Sequence, residues 1–533
     1  MSLSTVIHDL RDYKKNWLKG RIADPSTLKH TAEKIKKFGY KTVITISATD
    51  FIAENKFEMN YFFTDLIGNK NLWVKMDIPR DDAKVDSITP IFGGADWHER
   101  ETFSNYAIDF VGHPDLQPII ISSDFYGKGP YRKDFDTVAH EKEINSKINE
   151  IYENFENEFS ENDGSVTTLN WGPTHPASGP LRLRVDVDGE DILKVRADIG
   201  FVWRGLESLA EKKDFIGCIT VVERICFMDN TNPMICYAQA LEEIAGVKIT
   251  PLAEMMRVVL GEVGRISSHF MGIGGFFGTM GLHTLQMWAM DTREGFLDFL
   301  EDYSGARIAT ASVEAGGVRF PLKLETLETL EKAISYYEGK RDQFRGIFVK
   351  NPTMQKRAST VGIVKYDEVH EFSLSGVVAR ASGVKTDIRK DEPYAGYDKM
   401  EFDVVTRDEG SARSRFEVIF DELDESMKIL KQAIENIKKG AEDGTYNLEK
   451  DHMVKVPKKL PKGEAISRVE WARGELMMHL VTEEKGKNPY RLKIKAPSFT
   501  HTMMVEKLLE GNTISDIPIV FGSMYICQGD LDR

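Results

Sequence analysis

The most reactive side chains in this sequence are its four cysteines, Cys218, Cys226, Cys236 and Cys527. Thiolates act as redox nucleophiles and as ligands for soft metals. No two of these residues form a Cys-x-x-Cys pair, and four cysteines are too few for a disulfide framework in a chain of 533 residues. We therefore expect reduced thiols and a cytoplasmic setting.

Nucleotide and nucleic-acid sites are not indicated. The sequence contains no G-x-G-x-x-G that opens a helix after a strand, and no G-x-x-x-x-G-K-S/T. The run MGIGGFFGTMG lies among aromatic residues, which favours close helix packing over a phosphate-binding loop. The formal net charge of −14 opposes binding to nucleic acid, because that binding requires clustered Lys and Arg.

Two folded domains are predicted to position these residues. Residues 1–155 alternate helical segments with β-rich runs such as KTVITISA, which indicates an α/β domain. The acidic stretch ENFENEFSENDGSV predicts an exposed linker at 153–166. Residues 156–533 are predicted to form a mainly α-helical domain with small β elements, in which SRVEWARGELMMHLVTEE and PYRLKIKAPSF indicate a hairpin of two strands. The fold class is therefore α+β.

Membrane-spanning and secretory segments are not predicted. The run MSLSTVIHDLRDYKK carries charges throughout, unlike a secretory signal. The longest stretch without Asp, Glu, Lys or Arg, residues 266–290, contains two histidines and several glycines, and we interpret it as a buried helical hairpin. We expect a cytoplasmic protein that reaches the inner face of the cell membrane only through partner subunits.

Four segments carry a resemblance to known families. The run WHERETFSNYAIDFVGHPDL with PYRKDF, within 97–135, resembles the small hydrophilic (30 kDa-like) subunit of respiratory complex I. Three further segments resemble the quinone-site (49 kDa-like) subunit of complex I and the homologous large subunit of group 4, membrane-bound nickel–iron hydrogenases. They are NWGPTHPAS with GFVWRGLESLAEKKDF, VVERICFMDN, and KIKAPSFTHT with GSMYICQGDLDR. The order is that of a fusion of the two subunits, which implies a complex I-type domain followed by a hydrogenase-like domain.

The metal-ligand motifs of the hydrogenase branch are incomplete in this chain. The resemblance implies a nickel–iron centre held by two Cys-x-x-Cys motifs. Here Asp229 occupies the position of the second cysteine in the motif that begins at Cys226. Asp530 occupies the same position in the motif that begins at Cys527. Carboxylate oxygens are hard ligands and lack the softness of thiolates. We therefore expect no nickel–iron centre and no cofactor firmly bound by this chain.

The quinone-type residues differ as well. The resemblance implies a Tyr and a His at a quinone headgroup, but Phe227 stands at the tyrosine position and Ala177 lies in the loop of that histidine. Phe cannot donate a proton. The chain is most similar to a third branch, the energy-converting complexes of the sulfane reductase type.

That resemblance implies a set of partners. Electrons would arrive from ferredoxin through iron–sulfur clusters on a ferredoxin-like subunit and on a subunit that carries the proximal cluster. Integral membrane subunits would use the redox energy for ion transport. This chain has too few cysteines for such clusters, so the clusters are expected on the partners.

Three interpretations of the cysteine site stay open. The family fold would bring Cys226 and Cys527 together with Asp229 and Asp530, and two adjacent thiols can take up sulfane sulfur and release sulfide through a persulfide or a disulfide. The cysteines could instead be buried packing residues. The four residues could also form a mixed site for a single metal ion.

Two residues are predicted to transfer protons. Glu207, in WRGLE, matches a glutamate that passes protons at the metal site of hydrogenases, a task suited to a carboxylate whose pKa burial raises. His175 is a candidate second relay member. A helix-start glutamate and a backbone-bonded loop histidine are the structural alternatives. Two other functions stay open, a quinone-site subunit of an NADH:quinone oxidoreductase and a non-catalytic coupling subunit.

Overall fold

The computed structural model describes residues 3–157, 166–174 and 179–533. The elements of the first part are β1 His8–Lys14, β2 Trp17–Arg21, α1 Leu28–Lys37, β3 Thr42–Phe51, β4 Lys56–Asp65, β5 Lys70–Pro79, β6 Lys84–Asp86, α2 Asp96–Tyr106, β7 Asp109–Val111 and α3 Thr137–Asn157. Residues 158–165 of the predicted linker lie outside the described residues, and the domain boundary stays a prediction.

The first part is built on a five-stranded sheet in the order β1-β2-β5-β4-β3, in which β2 runs parallel to β5 and the other neighbours are antiparallel. One face packs against α1 and α2. On the other face Trp17, Phe62 and Trp73 pack against Ile466 and Met477 from the second part. Because both faces are covered, nearly all residues of β3 and β4 are buried, although their sequences mix apolar and polar residues.

The second part is mainly helical, and the predicted α+β class is confirmed. Its elements are β8 Thr167–Thr174, β9 Leu181–Asp188, β10 Asp191–Asp198, α4 Leu206–Glu211, α5 Ile219–Val222, α6 Thr231–Ala245, α7 Pro251–Thr279, α8 His283–Ser304, β11 Val313–Glu314, β12 Gly317–Val318, α9 Leu324–Lys350, α10 Pro352–Ala358, α11 Tyr366–Glu371, α12 Gly376–Ala381, α13 Ile388–Asp391, α14 Ala412–Glu442, β13 Gly463–Trp471, β14 Gly474–Thr482, β15 Arg491–Lys495, α15 Pro497–Leu509, α16 Ile517–Ser523 and α17 Gln528–Asp532.

The predicted helical hairpin is confirmed as the pair α7 and α8, but its predicted burial holds only for α7, because Met287 and Trp288 at the start of α8 are exposed. Helix α7 begins at Pro251, where the Thr250 side chain caps the helix by accepting from the Ala253 N–H (3.1 Å). Most of α7 is buried, since α6, α8 and α14 all pack on it. In the described ranges, no helix has both the length and the apolar character to cross a membrane.

The predicted two-stranded hairpin near the end of the chain has three strands instead. The first predicted strand folds back on itself, because Ala472 and Arg473 form a two-residue turn between the paired residues Trp471 and Gly474. The second predicted strand becomes β15, which pairs with β14. The turn places Arg473 at the tip of the β13–β14 hairpin, inside the protein.

The tip of this hairpin packs closely on the start of α12. Gly376 has a φ of +63°, and a Cβ added there would lie 2.3 Å from the Gly474 Cα. We expect Gly376→Ala to lower the free energy of unfolding by about 2–4 kcal/mol, because it combines left-handed strain with overpacking. Thermal unfolding of the purified complex measures the effect.

Gly246 offers a matched control for that prediction. It has a similar φ of +65°, but no atom lies within 4 Å of a Cβ built on it. Gly246→Ala should therefore show the backbone strain alone, about 1–2 kcal/mol. Equal losses for the two variants would show that the close approach of the hairpin contributes nothing.

Candidate active site

The two cysteines of the predicted site lie side by side. Cys226 lies in the loop after α5, and Cys527 immediately precedes α17. The Cys527 thiol donates a hydrogen bond to the Cys226 sulfur over 3.2 Å. Both side chains are buried. The Cys527 N–H donates to the Ser498 hydroxyl on α15 (3.0 Å), which fixes the second sulfur against the first.

A buried arginine completes the contact with the sulfurs. Arg473 is 1% exposed and donates from Nη1 to the Cys226 sulfur (3.5 Å) and to the Ser268 hydroxyl (3.0 Å). Its Nη2 donates to the Met228 sulfur (3.0 Å), and its guanidinium lies 4.9 Å from the centroid of the Tyr525 ring. A full positive charge therefore lies within the cysteine site.

The two thiols differ in acidity. Burial raises the pKa of Cys226, but the hydrogen bond from Cys527 and the charge of Arg473 outweigh it, so that this pKa falls well below the usual range of a thiol. The hydrogen bond to Cys226 and burial both raise the pKa of Cys527. The pair therefore holds one thiolate, on Cys226, and one thiol, on Cys527.

The two aspartates are buried but play different parts. Burial raises the pKa of Asp229 to about 7, and its carboxylate accepts from the Asn232 amide (2.8 Å) and backbone N–H (3.2 Å) at the start of α6. Burial also raises the pKa of Asp530 to about 7. Its Oδ2 lies 4.0 Å from the Arg473 Nε. Asp229 thus holds the loop of Cys226, whereas Asp530 faces the guanidinium.

These residues do not fit a nickel–iron centre. Such a centre takes four soft thiolates, and the site has two sulfurs and two carboxylates, one of which is bound to Asn232. The Arg473 guanidinium already lies against the Cys226 sulfur, where a dication would meet it at close range. Among residues 3–157, 166–174 and 179–533, no group of three or more His, Cys, Asp and Glu side chains is arranged to hold a metal ion.

The contacts of Glu207 are with a buried cluster of charged side chains and not with the two sulfurs. Its carboxylate accepts from Arg491 (2.6 Å) and from the Ile494 N–H (3.0 Å), and Lys493 Nζ lies 3.5 Å away. The predicted proton role, which stays a prediction, suits a carboxylate whose pKa is raised, and the pKa of Glu207 is shifted the other way. Burial does act to raise the pKa, but Lys493 and Arg491 outweigh it and the net shift is downward. Glu207 therefore stays ionised.

The other predicted residues fall into two groups. His175 lies outside the described residues, and its relay role stays a prediction. Cys218 and Cys236 are buried, and their thiols donate to the carbonyls of Ala210 (3.1 Å) and Ser467 (3.4 Å). Burial raises the pKa of each to about 12, which leaves both as protonated packing residues.

The sequence reasoning missed Arg473 and the groups behind it. The Ser268 hydroxyl lies 3.1 Å from the Tyr525 hydroxyl, which lies 3.0 Å from the His269 Nδ1. The segment SRVEWARGE did not single out Arg473, because that residue is one of several charged residues in it. No local signal pairs Tyr525 with His269, because α7 and the α16–α17 loop meet only in the fold.

Comparison with known proteins agrees with this architecture. The family model of the respiratory-chain NADH dehydrogenase 30 Kd subunit matches residues 22–141, and that of the 49 Kd subunit matches residues 279–533. The chain is 28% identical over 539 residues to the C/D subunit of NADH-quinone oxidoreductase from Hydrogenobaculum sp., a match that covers 95% of this chain and 94% of that protein. It is 34% identical over 401 residues to the D subunit of NADH-quinone oxidoreductase from Helicobacter hepaticus, a match that covers 71% of this chain and 98% of that protein.

A solved structure matches 70% of this chain. It is a chain of the membrane-bound sulfane sulfur reductase, an archaeal respiratory membrane complex, with a TM-score of 0.65, 29% identity, and coverage of 70% of this chain and 99% of that chain. Fold and sequence define the class as a subunit of a complex I-like oxidoreductase. The chain belongs to the family of NADH–quinone oxidoreductase C/D subunits, in which the 30 kDa and 49 kDa components of complex I are fused.

Proposed function

We propose that this chain is the catalytic subunit of a membrane-attached, ferredoxin-linked complex and reduces sulfane sulfur at Cys226 and Cys527 without a nickel–iron centre. The observation that carries the proposal is the contact between the two sulfurs, at 3.2 Å, with Arg473 against one of them. The likeness to a chain of the sulfane sulfur reductase complex supports the same chemistry.

The difference in acidity assigns a step to each cysteine. The Cys226 thiolate attacks the terminal sulfur of a polysulfide, the adjacent S–S bond breaks, and a Cys226 persulfide anion and a polysulfide shorter by one sulfur form. The Cys527 sulfur then attacks the Cys226 sulfur. The persulfide S–S bond breaks, a Cys226–Cys527 disulfide forms, and the outer sulfur leaves with the Cys527 proton as hydrosulfide.

Two electrons and one proton complete the cycle. The electrons come from an iron–sulfur cluster on a partner subunit and convert the disulfide to the Cys226 thiolate and the Cys527 thiol. Asp530 follows Cys527 by three residues, and burial raises its pKa to about 7, which suits a group that supplies this proton. Asp229 holds the Cys226 loop through Asn232.

The partners follow from what this chain can supply. We infer that electrons arrive through two partners, a ferredoxin-like cluster subunit and a proximal-cluster subunit, and that integral membrane subunits hold the complex at the cytoplasmic face and move ions. Phe227, next to Cys226, is 47% exposed. Apolar surface beside a redox site is suited to docking of a cluster-bearing partner.

The test uses the whole complex with this subunit in place. Reduced ferredoxin and polysulfide are supplied, sulfide release is measured, and nickel, iron, zinc and acid-labile sulfide are quantified per complex. We expect no nickel, and loss of sulfide release in both Cys226→Ala and Cys527→Ala. Cys236→Ala is the matched control, because that thiol is equally buried but lies against the Ser467 carbonyl.

Each contrary outcome selects another function. Nickel near one per complex makes the chain a hydrogenase subunit with unusual ligands. Full activity and assembly in a variant lacking both thiols make it a non-catalytic coupling subunit. The names of its NADH-quinone relatives favour quinone reduction as the second candidate, and quinone reduction that needs neither thiol, and that a quinone analogue inhibits, would establish it.

A further inference from the structure

Behind the cysteine pair, a line of polar side chains leads from Arg473 into the helical core. Arg473 Nη1 donates to the Ser268 hydroxyl (3.0 Å), which lies 3.1 Å from the Tyr525 hydroxyl. The Tyr525 hydroxyl lies 3.0 Å from the His269 Nδ1. The His269 Nε2 lies 3.3 Å from the Glu422 Oε2. All five side chains are buried.

The two ends of this line fix the direction of its hydrogen bonds. A guanidinium only donates hydrogen bonds, and an ionised carboxylate only accepts them. Glu422 is held as a carboxylate by Arg380, whose Nε donates to Oε1 (2.6 Å). The Glu422 carboxylate favours the tautomer with its proton on Nε2 by its charge, although this contact does not have the geometry of a hydrogen bond. Nδ1 then accepts from Tyr525, and the Ser268 hydroxyl donates to Tyr525. The hydrogens of these bonds therefore point from Arg473 toward His269.

We propose that Ser268, Tyr525 and His269 are positioning residues that hold the Arg473 guanidinium on the Cys226 sulfur and thereby keep this thiolate reactive. Each member contacts the next, and Tyr525 acts in two ways. Its hydroxyl orients Ser268, and its ring lies beneath the guanidinium at 4.9 Å from the centroid. Without this line Ser268 would be free to turn, and one of the contacts that place Nη1 would weaken.

The fit of the Tyr525 ring depends on a glycine. A Cβ added at Gly272 would lie 2.2 Å from the Tyr525 Cε2, so the ring has its place only because α7 has no side chain there. Gly272 is a helical residue, and alanine favours a helix more than glycine does. Gly272→Ala therefore displaces the ring without removing a polar group or weakening α7.

Other charged groups act on Cys226, and the test must leave them unchanged. Cys226 interacts electrostatically with Cys527, Asp229, Asp530, Arg204 and Arg293. None of these five belongs to the hydrogen-bonded line. Substitutions at Ser268, Tyr525 and Gly272 thus alter the support of Arg473 and remove no charge.

The experiment compares Tyr525→Phe, Ser268→Ala and Gly272→Ala in the intact complex. After reduction, the rate at which iodoacetamide alkylates Cys226 is followed by mass spectrometry. We expect each variant to react about threefold to tenfold more slowly than the wild type near neutral pH, as loss of one hydrogen bond predicts. Tyr303→Phe is the matched control, because that buried hydroxyl donates to the Phe320 carbonyl, and its rate should equal the wild-type rate.

A second measurement separates this inference from the proposed function on which it rests. The Cys226–Cys527 disulfide is equilibrated with glutathione, and a thiolate stabilised by Arg473 favours the reduced pair. We expect the three variants to shift this equilibrium toward disulfide by the same threefold to tenfold factor, about 15–30 mV. Wild-type rates and equilibria in Tyr525→Phe and Ser268→Ala would overturn the inference. Slower alkylation in a complex that forms no disulfide and releases no sulfide would overturn the proposed function alone.

Discussion

Replacing Arg473 by methionine is expected to slow the alkylation of Cys226 by about 100-fold near neutral pH and to abolish most sulfide release. The guanidinium donates to the Cys226 sulfur, and an adjacent cation lowers the pKa of an acidic group by about 1–3 units. Without this cation, burial is opposed by the hydrogen bond from Cys527, by weaker backbone contacts and by the charges of Arg204 and Arg293. The pKa of Cys226 should then rise, so the reactive thiolate is lost at neutral pH and regained only in alkali.

The pH profile of alkylation decides this prediction. A thiolate held by Arg473 reacts at a nearly constant rate from neutral to alkaline pH, whereas the Arg473→Met rate should climb with pH toward the wild-type plateau. Arg473→Lys is the matched variant, because it keeps the charge but loses the two-pronged donation to Cys226 and Met228. The pH profile of Arg473→Lys should lie between the profiles of the wild type and of Arg473→Met. Coincident wild-type and Arg473→Met profiles would show that the guanidinium does not act on the thiol.

Replacing Glu101 by alanine is expected to lower the free energy of unfolding by about 3–5 kcal/mol, the largest effect on stability that we foresee. Glu101 lies on α2, and its carboxylate accepts from Lys493 (2.6 Å) and Arg533 (2.5 Å) in the second part of the chain. All three side chains are buried. The substitution leaves two buried cations, which keep Glu207 as a partner at 3.5 and 3.6 Å but lose the closer Glu101 carboxylate.

Thermal unfolding of the purified complex measures this loss, with Glu294→Ala as the control. Glu294 pairs with Arg307 at the surface, where an ion pair contributes about 0–1 kcal/mol. Each variant removes one glutamate carboxylate, and the two differ in whether the partners of that carboxylate are buried. Similar unfolding temperatures for both would show that the buried cluster does not hold the two parts of the chain together.

The cysteine site of this chain contains a buried cation. Arg473 supplies positive charge beside Cys226 without the soft ligands that nickel and iron require. Its charge favours one thiolate, and the hydrogen bond from Cys527 keeps the second sulfur protonated. That asymmetry is what a nucleophilic thiol and a resolving thiol need.

The family could be predicted from the sequence because its signals are local. Runs such as WHERETFSNYAIDFVGHPDL and GSMYICQGDLDR keep their spacing within one element or loop. The same is true of the Cys-x-x-Asp spacing at Cys226 and at Cys527, which predicted the altered ligand set. The α+β class and the α7–α8 hairpin also follow from local pattern, since periodicity and glycine content act over a few turns.

The tertiary structure alone decided what surrounds these residues. Cys226 and Cys527 are 301 positions apart, and the fold brings their sulfurs to 3.2 Å. The local motif around Glu207 predicted burial correctly, but the sign of its pKa shift depends on Lys493 and Arg491, which come from β15. Arg473 reaches the sulfurs because a two-residue turn aims it inward. Sequence spacing predicts contacts between residues of one element. The charges and thiols of this site instead interact with residues of distant elements, and only the packing of those elements decides which residues these are.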